Sequence, residues 1–312
     1  MRNTNQVTQS QVVHTLDLYF HGLPTAIACY LIPYSDGAVL IETGPGSTIP
    51  TLQAGFRANG LTEHDITDVF LTHIHLDHAG AAGWLANQGA QIHVHPAGAP
   101  HLLDPQKLLA SAARIYGDLM DKLWGEFLPV SSDRIHILEK DEVVEIGSLH
   151  IQALDTPGHA NHHYCYLFNK ICFSGDILGV RLPGSSHIRL PMPPPEFILE
   201  QWRESLARLR VQLEHGAINK IAPTHFGIFL DAAKHFASVE KALVDVGDWI
   251  EAKLPENPSD QVLQDRFLQW IRQRSLAEGL DYGLVETYEA VNPSEMSVAG
   301  IQRYWRKYRQ RT

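Results

Sequence analysis

The sequence is poor in cysteine, in basic residues and in long apolar runs, and each shortage disfavours a class of protein. Its three cysteines among 312 residues have no zinc-ribbon spacing, which favours reduced, structural thiols over a disulfide framework. The 25 Lys and Arg residues are outnumbered by 35 Asp and Glu, giving a formal net charge of -10, which argues against nucleic acid as the substrate or partner. No apolar run approaches the roughly 18 residues that a membrane helix needs.

The start of the sequence, MRNTNQVTQSQVVHTLDLYF, has neither an apolar signal core nor a small-residue cleavage site. We therefore expect a cytoplasmic protein without a membrane segment. With 44% hydrophobic residues, the chain has ample material for a large core.

Histidine, by contrast, is abundant, with 18 residues, and the segment THIHLDHAG has the pattern His-x-His-x-Asp-His. Its members are His73, His75, Asp77 and His78. Three His and one Asp at this spacing should occur by chance about once in 10^5 start positions. The pattern follows a predicted strand and precedes a predicted helix, and α/β folds place their sites in such loops. Imidazole and carboxylate ligands suit Zn, Fe, Mn or Co better than Ca or Mg.

Three later strand ends carry the same types of side chain. TPGH ends a predicted strand at His159, FSGD ends another at Asp176, and APTH ends a third at His225. A histidine-rich surface loop would explain the first cluster alone. Four separate strand ends that present metal-binding residues are hard to explain by core packing, so the sequence predicts one shared metal site.

The remaining pattern predicts an α/β layered fold with helical additions. Strand-like and helix-like segments alternate up to about residue 230, except that residues 104–127 have helical spacing of apolar residues. Residues 232–312 carry helical patterns and no strand run. We therefore predict a catalytic domain over 1–231, with a helical insertion at about 104–127, and a helical C-terminal extension over 232–312.

Over nearly all of residues 20–230, these motifs resemble the metallo-β-lactamase superfamily, and its glyoxalase-II-like members in particular. The resemblance implies an αββα sandwich with two divalent metal ions at one edge, zinc first and iron or manganese as alternatives. By position in the motifs, it implies one metal on His73, His75 and His159, a second on Asp77, His78 and His225, and Asp176 as the bridge. HANHHYCY resembles the His-x-x-x-His pattern of these relatives, which gives His163 the position of a histidine that orients a metal ligand; His162 is interpreted as a bystander.

Two such ions about 3.5–4 Å apart can share one hydroxide and lower its pKa toward about 7. That hydroxide would be the nucleophile, and the sequence has no G-x-S-x-G elbow that would supply another. Asp77 would then orient the hydroxide and pass a proton to the leaving group. The predicted reaction class is hydrolysis of a small-molecule substrate.

The resemblance also bears on the bond that is cleaved. True β-lactamases of this family generally lack a carboxylate at the bridging position, whereas this chain has Asp176. Gly179 stands where lactonase relatives carry a Tyr, and Glu42 replaces the usual Asp of an early L-I-D-T-G turn. An ester, thioester or lactone with an apolar portion is the first choice. One alternative is a phosphodiesterase or nuclease, which a basic groove near 181–189 would favour. The other is an iron-dependent oxidoreductase.

Two sets of residues are candidates for binding the substrate. Arg181, His187 and Arg189 follow Asp176 on a proline-rich loop, so we expect one of them to meet a polar group of the substrate. The apolar residues of 104–127 are too many for one buried stripe, which leaves Tyr116, Met120 and Phe127 to face a pocket or a partner chain. The segment is therefore predicted to be either a lid over the metals or a homodimer interface.

Overall fold

The structure is a computed structural model that describes residues 12–309. The expectation of no targeting signal rests partly on residues 1–11, which lie outside this range. The strands of the described residues are β1 (His14–Asp17), β2 (Ala28–Tyr34), β3 (Gly37–Ile41), β4 (Ile66–Phe70), β5 (Gln91–Val94), β6 (Ile135–Ile137), β7 (Val143–Ile146), β8 (Leu149–Asp155), β9 (Tyr164–Phe168), β10 (Ile171–Gly175) and β11 (Lys220–Pro223). The α-helices are α1 (Ile49–Ala58), α2 (Leu76–Ala79), α3 (Ala82–Asn87), α4 (Ala99–Leu103), α5 (Gln106–Tyr116), α6 (Met120–Trp124), α7 (Leu199–Glu214), α8 (Ala232–Lys253), α9 (Asp260–Ala277), α10 (Tyr282–Val291) and α11 (Ser294–Tyr304).

The strands form two sheets. The first has six strands in the order β1-β2-β3-β4-β5-β6, and the second has five in the order β11-β10-β9-β8-β7. Each sheet is antiparallel at one end and parallel at the other, since β3 to β6 run parallel in the first and β10 pairs parallel with β11 in the second. Parallel neighbours need a crossover connection, which helices such as α1, α3 and α7 provide.

The core lies between the sheets and on both of their outer faces. Along β2, Tyr30 and Ile32 belong to the hydrophobic cluster between the sheets, whereas Cys29 and Leu31 belong to the cluster under the outer helices. A strand covered on both faces has no polar side, because successive side chains point in opposite directions. This explains the unbroken apolar run ACYLI and confirms the predicted αββα sandwich.

The helical C-terminal extension, also confirmed, packs on the outer face of the second sheet. Trp202 on α7, Phe236 and Val246 on α8, Phe267 on α9 and Ile301 on α11 all belong to one buried cluster. This cluster crosses the domain boundary predicted at residue 231, so the extension shares its core with the sandwich. In residues 12–309, every helix is too short or too polar to cross a membrane.

Candidate metal centre

The seven predicted ligands come together at one edge of the sandwich. His73 and His75 lie in the loop between β4 and α2, and His159, Asp176 and His225 follow β8, β10 and β11. The two sheets are joined here by backbone hydrogen bonds, from Tyr164 N to the Thr72 oxygen at 2.7 Å and from Ala28 N to the Thr224 oxygen at 2.8 Å. The carboxyl ends of strands from both sheets therefore present their side chains to the same space.

Three histidines form the first group. His73 Nε2 lies 2.9 Å from His75 Nδ1, and His159 Nε2 lies 3.2 Å from the former and 3.1 Å from the latter. Nitrogens about 2.0–2.1 Å from a tetrahedral zinc ion are about 3.3 Å from one another. The triangle of nitrogens therefore nearly matches the one that a single zinc ion requires.

Asp77, His78 and His225 form the second group, and Asp176 lies between the two. Asp77 Oδ2 is 3.6 Å from His78 Nε2 and 3.5 Å from His225 Nε2. Asp176 Oδ1 is 3.5 Å from each of the same two nitrogens, whereas its Oδ2 is 3.3 Å from His159 Nε2 in the first group. One oxygen of Asp176 thus faces each group, which is the geometry that a bridging carboxylate needs.

Hydrogen bonds at the outer nitrogens fix which nitrogen of each ring faces inward. His159 Nδ1 donates to the Pro191 carbonyl at 2.8 Å, His225 Nδ1 to the Ala26 carbonyl at 2.6 Å, and His78 Nδ1 to Glu42 Oε1 at 3.1 Å. A neutral imidazole that donates from Nδ1 has its lone pair on Nε2. All three rings therefore turn a lone pair toward the centre, as metal-binding histidines do.

Glu42 is the acid on which several of these contacts converge. Its Oε1 accepts hydrogen bonds from His78 Nδ1, from Thr224 Oγ1 at 3.1 Å and, over a short distance, from Thr72 Oγ1. Thr72 Oγ1 in turn lies 3.0 Å from His73 Nδ1. In the sequence, Glu42 stands out only because it replaces the usual Asp of the L-I-D-T-G turn. An acidic residue at this place in LIETG is the signal that could have revealed its role.

The two groups differ in electrostatics. Burial, aided by the neighbouring imidazoles, lowers the pKa of His73 far below its ordinary value and that of His75 to about 3. Burial also acts on His78 and His225, but the carboxylates of Asp77 and Asp176 outweigh it and raise the pKa of both rings. The first group is therefore a neutral set of lone pairs, whereas the second combines carboxylates with imidazoles that hold a proton more tightly than usual.

Two buried atoms at the centre lack protein partners. Within residues 12–309, no protein group makes a hydrogen bond to His78 Nε2 or to Asp176 Oδ1. Buried polar atoms are normally satisfied, and those that are not call for an ion or a water. Lone-pair atoms that face one another at these distances fit a cation, so the residues present suit the metals that the sequence predicts.

His163 lies behind Asp176. Its Nδ1 is 2.8 Å from Thr156 Oγ1, and its Nε2 accepts a hydrogen bond from Asp176 N at 3.3 Å. Gly175 has a φ of +49, and a Cβ there would lie 2.7 Å from His163 Nε2. The ring therefore contacts the backbone that carries Asp176, and it also lies beside the rings of His73 and His159, with centroids 5.1 Å and 6.0 Å away.

A pocket of about 440 Å³ opens onto the cluster, with His75, Asp77, His159, Asp176 and His225 in its wall. The other walls are mostly apolar and come from the loop after β1, helices α5 and α6, the proline-rich loop and the C-terminal helices. Such a volume is within the usual range for small-molecule sites.

The helical insertion forms part of this wall. Helices α5 and α6 are joined by a short 3-10 turn at Gly117–Leu119, and Tyr116 and Trp124 line the pocket. Burial, with the charge of Asp77, raises the pKa of the Tyr116 hydroxyl, which stays protonated. Met120 packs beside the outer cluster, and Phe127 is buried in it, so of the three residues predicted to face a pocket or partner, Tyr116 alone lines this pocket.

Arg181, His187 and Arg189 are placed elsewhere than the sequence predicts. Each is buried and paired with an acid on, or directly beside, a C-terminal helix: Arg181 with Asp231 at 2.7 Å, His187 with Glu278 at 2.6 Å and Arg189 with Glu289 at 2.7 Å. Nearness to Asp176 along the chain did not bring them to the pocket, because the acids that neutralise them draw the loop onto the helices. Their contacts are those of residues that dock the extension.

Several residues of the pocket were missed or misinterpreted from the sequence. His162, interpreted as a bystander, lines the wall, and its Nε2 lies 2.9 Å from Glu196 Oε2. Asn292 and Met296 line it as well, from the extension. Helical spacing predicted that this part of the chain is helical but gave no sign of the surface that the helices would cover.

Comparisons with known proteins agree with this architecture. A model of the metallo-β-lactamase superfamily matches residues 22–213. The metallo-β-lactamase fold-containing protein ST1585 of Sulfurisphaera tokodaii is 30% identical over 144 residues, which are 45% of this chain and 54% of that protein. The lactamase-like protein adaB of Aspergillus niger is 32% identical over 155 residues, which are 48% of this chain and 38% of that protein. The matches thus span about half or less of these relatives.

Solved structures resemble the chain over a greater length. The crystal structure of ST1585 from Sulfolobus tokodaii has a TM-score of 0.65 at 21% identity and covers 94% of this chain and 98% of its own. The metallo-β-lactamase family protein TTHA1429 from Thermus thermophilus has a TM-score of 0.63 at 19% identity, with coverages of 94% and 93%. At these identities the likeness shows the fold alone, including the C-terminal part.

Proposed function

Because the chain belongs to the metallo-β-lactamase superfamily, we propose that it is a dinuclear metallohydrolase that cleaves an ester, thioester or lactone with an apolar portion. The observation that supports this most is the position of Asp176, with one oxygen toward each of two ligand groups at the end of a largely apolar pocket.

In this proposal His73, His75 and His159 hold one divalent ion, Asp77, His78 and His225 hold the other, and Asp176 contacts both. Zinc is the metal we propose, and iron or manganese would accept the same donors. Such ions supply Lewis acidity to a carbonyl oxygen and make water a nucleophile near neutral pH.

The protein side chains would orient the reactants. Asp77 lines the pocket and is 24% exposed, more than Asp176 at 5%, so it can reach both the attacking water and the substrate. Histidine neighbours overcome the effect of burial and lower the pKa of Asp77 to about 2. We therefore assign Asp77 the task of holding the attacking water by a hydrogen bond and guiding its proton toward the leaving group.

The pocket supports the choice of substrate class. Its apolar wall would cover a hydrocarbon chain or ring and keep water away from the reacting bond. Tyr116 is the predicted substrate contact that the pocket retains, with a protonated hydroxyl that can donate to a substrate oxygen. A nuclease would be favoured by a basic groove at 181–189, but Arg181, His187 and Arg189 are buried and paired with Asp231, Glu278 and Glu289.

The test is a substrate panel with the zinc-loaded protein. Phenyl esters, thioesters and lactones with acyl chains of increasing length would be compared with bis(nitrophenyl) phosphate. We expect hydrolysis of the first three classes with kcat/KM increasing with chain length, and loss of that activity in Asp77→Ala and Asp176→Ala. Faster cleavage of the phosphodiester than of every ester, or undiminished rates in both variants, would contradict the proposal.

A further inference from the structure

Glu196 gives the apolar pocket a negatively charged group beside the metal centre. It follows Pro193–Pro195, lines the pocket, and is 22% exposed. It also lies near the first ligand group, since one oxygen of Glu196 and one nitrogen each of His75 and His162 are all within 4.8 Å of one another.

His162 orients this carboxylate. The Ile74 N–H approaches His162 Nδ1 at 3.5 Å, so the ring proton belongs on Nε2, which lies 2.9 Å from Glu196 Oε2. Asn161 N also donates to Oε2, at 3.4 Å. Both of the hydrogen bonds that the structure gives Glu196 therefore end on the same oxygen, and Oε1 is left to accept from a molecule in the pocket.

A carboxylate held in this way selects by charge and by hydrogen bonding. Hydrogen bonds from a donor to an ionised acceptor are stronger than neutral ones, and strongest when the donor is charged. A substrate group with no donor would leave the carboxylate desolvated without compensation, and an anionic group would be repelled. The hydrogen bond from His162 occupies one oxygen of Glu196 and leaves the other directed at the pocket.

We propose that Glu196, positioned by His162, binds an N–H or ammonium donor close to the scissile carbonyl, so that the preferred substrates are apolar esters or thioesters with a nitrogen substituent beside the carbonyl. The substrate preference rests on the proposed function, whereas the binding of the donor by Glu196 does not depend on turnover. Glu196 contacts the substrate, and His162 is a positioning residue.

The kinetic test uses three phenyl hexanoates that differ on the carbon next to the carbonyl, which carries a methyl, an amino or an acetamido group. For each protein the preference is the ratio of kcat/KM for a nitrogen-bearing ester to that for the methyl ester, and comparing this ratio between proteins cancels the intrinsic reactivity of the esters. In Glu196→Gln this preference should fall ~10- to 100-fold. Glu204→Gln, which removes the same charge from the exposed face of α7, should keep the preference of the parent.

His162 is tested by a conservative pair. His162→Leu removes the donor to Glu196 and should reduce the preference, whereas His162→Gln offers an amide N–H and should restore part of it. A merely structural role for His162 would lower the rates for all three esters equally.

Calorimetry tests the same idea without turnover. Hexylammonium should bind the zinc-loaded parent ~10-fold more tightly than it binds Glu196→Gln, and hexanol should bind both with similar affinity.

If none of the esters is hydrolysed, the proposed function fails, and the comparison of hexylammonium binding still decides the role of Glu196. An unchanged preference and unchanged hexylammonium binding in Glu196→Gln would overturn the inference. So would a third equivalent of zinc that is lost in both Glu196→Gln and His162→Leu, since the pair would then be a metal site.

Discussion

Glu42 Oε1 accepts a hydrogen bond from His78 Nδ1 at 3.1 Å, beneath the candidate metal centre and fully inside the protein. Glu42 lies at the end of β3 and His78 on α2, so the contact joins the loops of two neighbouring strands. A carboxylate behind a metal-binding imidazole orients the ring and makes its other nitrogen a better donor to the metal.

Glu42→Gln should therefore weaken metal binding at the Asp77–His78–His225 group by about 10- to 100-fold, because the amide lacks the charge that polarises the ring. Competition with a chromophoric chelator would measure the affinity of each metal in turn. Glu145→Gln, on the exposed part of β7, is the control and should bind both metals as the parent does. Equal affinities for all three proteins would show that Glu42 serves packing alone.

The second prediction concerns the number of metals. Protein purified without chelator and reloaded with zinc should approach two zinc ions per chain, because the seven ligands divide into two groups around Asp176. Asp176→Ala should lose at least one of them and most of the hydrolysis, with an unchanged far-ultraviolet circular dichroism spectrum. Elemental analysis that stays at one ion under zinc excess in the parent would contradict the dinuclear arrangement.

That the seven predicted ligands lie together could be read from the sequence because local signals coincided. His73, His75, Asp77 and His78 have a characteristic spacing, and His159, Asp176 and His225 each follow an apolar run with Gly or Pro nearby. Strand ends in an α/β fold meet at an edge, so the type of residue and its place in an element together suggested one site.

The contacts that support the ligands could not be read in the same way. His159 and His225 are oriented by the carbonyl oxygens of Pro191 and Ala26, and any residue has a carbonyl. Arg189 is another example, because its partner Glu289 lies 100 residues further along the chain. Pairings of this kind depend on how distant helices dock, which local spacing does not report.

The third prediction concerns this docking. His187 Nδ1 lies 2.6 Å from Glu278 Oε2, and the ring is buried between the proline-rich loop and α9. Burial favours the protonated acid, but the hydrogen bond with His187 and the charge of Arg274 prevail and lower the pKa of Glu278 to about 2. Glu278→Gln should reduce the free energy of unfolding by about 1–2 kcal/mol at pH 7, since His187 loses a charged acceptor.

The pH dependence follows from the sign of that shift. The folded-state pKa of Glu278 is below the value of about 4.3 in an unfolded chain, so the stabilisation is complete above that value and is lost as the pH falls toward 2. Urea denaturation of the parent and of Glu278→Gln between pH 7 and pH 2 should therefore show a constant difference at first, which then shrinks below about pH 4.5. A difference that grows with acidification would contradict this account.

The last prediction concerns the wall that the C-terminal extension gives to the pocket. Met296 on α11 lines the same pocket as the helical insertion, although it lies far from the predicted metal ligands in the chain. Each methylene of an acyl chain buried against this wall should raise kcat/KM for the parent by about fourfold, which corresponds to about 0.8 kcal/mol per methylene. The increase should stop where the chain fills the pocket.

Met296→Ala removes side-chain volume from that wall, so the optimum should move to a longer acyl chain, and kcat/KM for the shorter chains should fall by several-fold through lost contacts. The measurement is kcat/KM over a series of linear phenyl esters. Leu230→Ala is the matched control, because Leu230 is 74% exposed and its loss should leave the optimum where it is. If Met296→Ala and Leu230→Ala gave the same optimum as the parent, the extension would pack beside the pocket without determining which substrates it accepts.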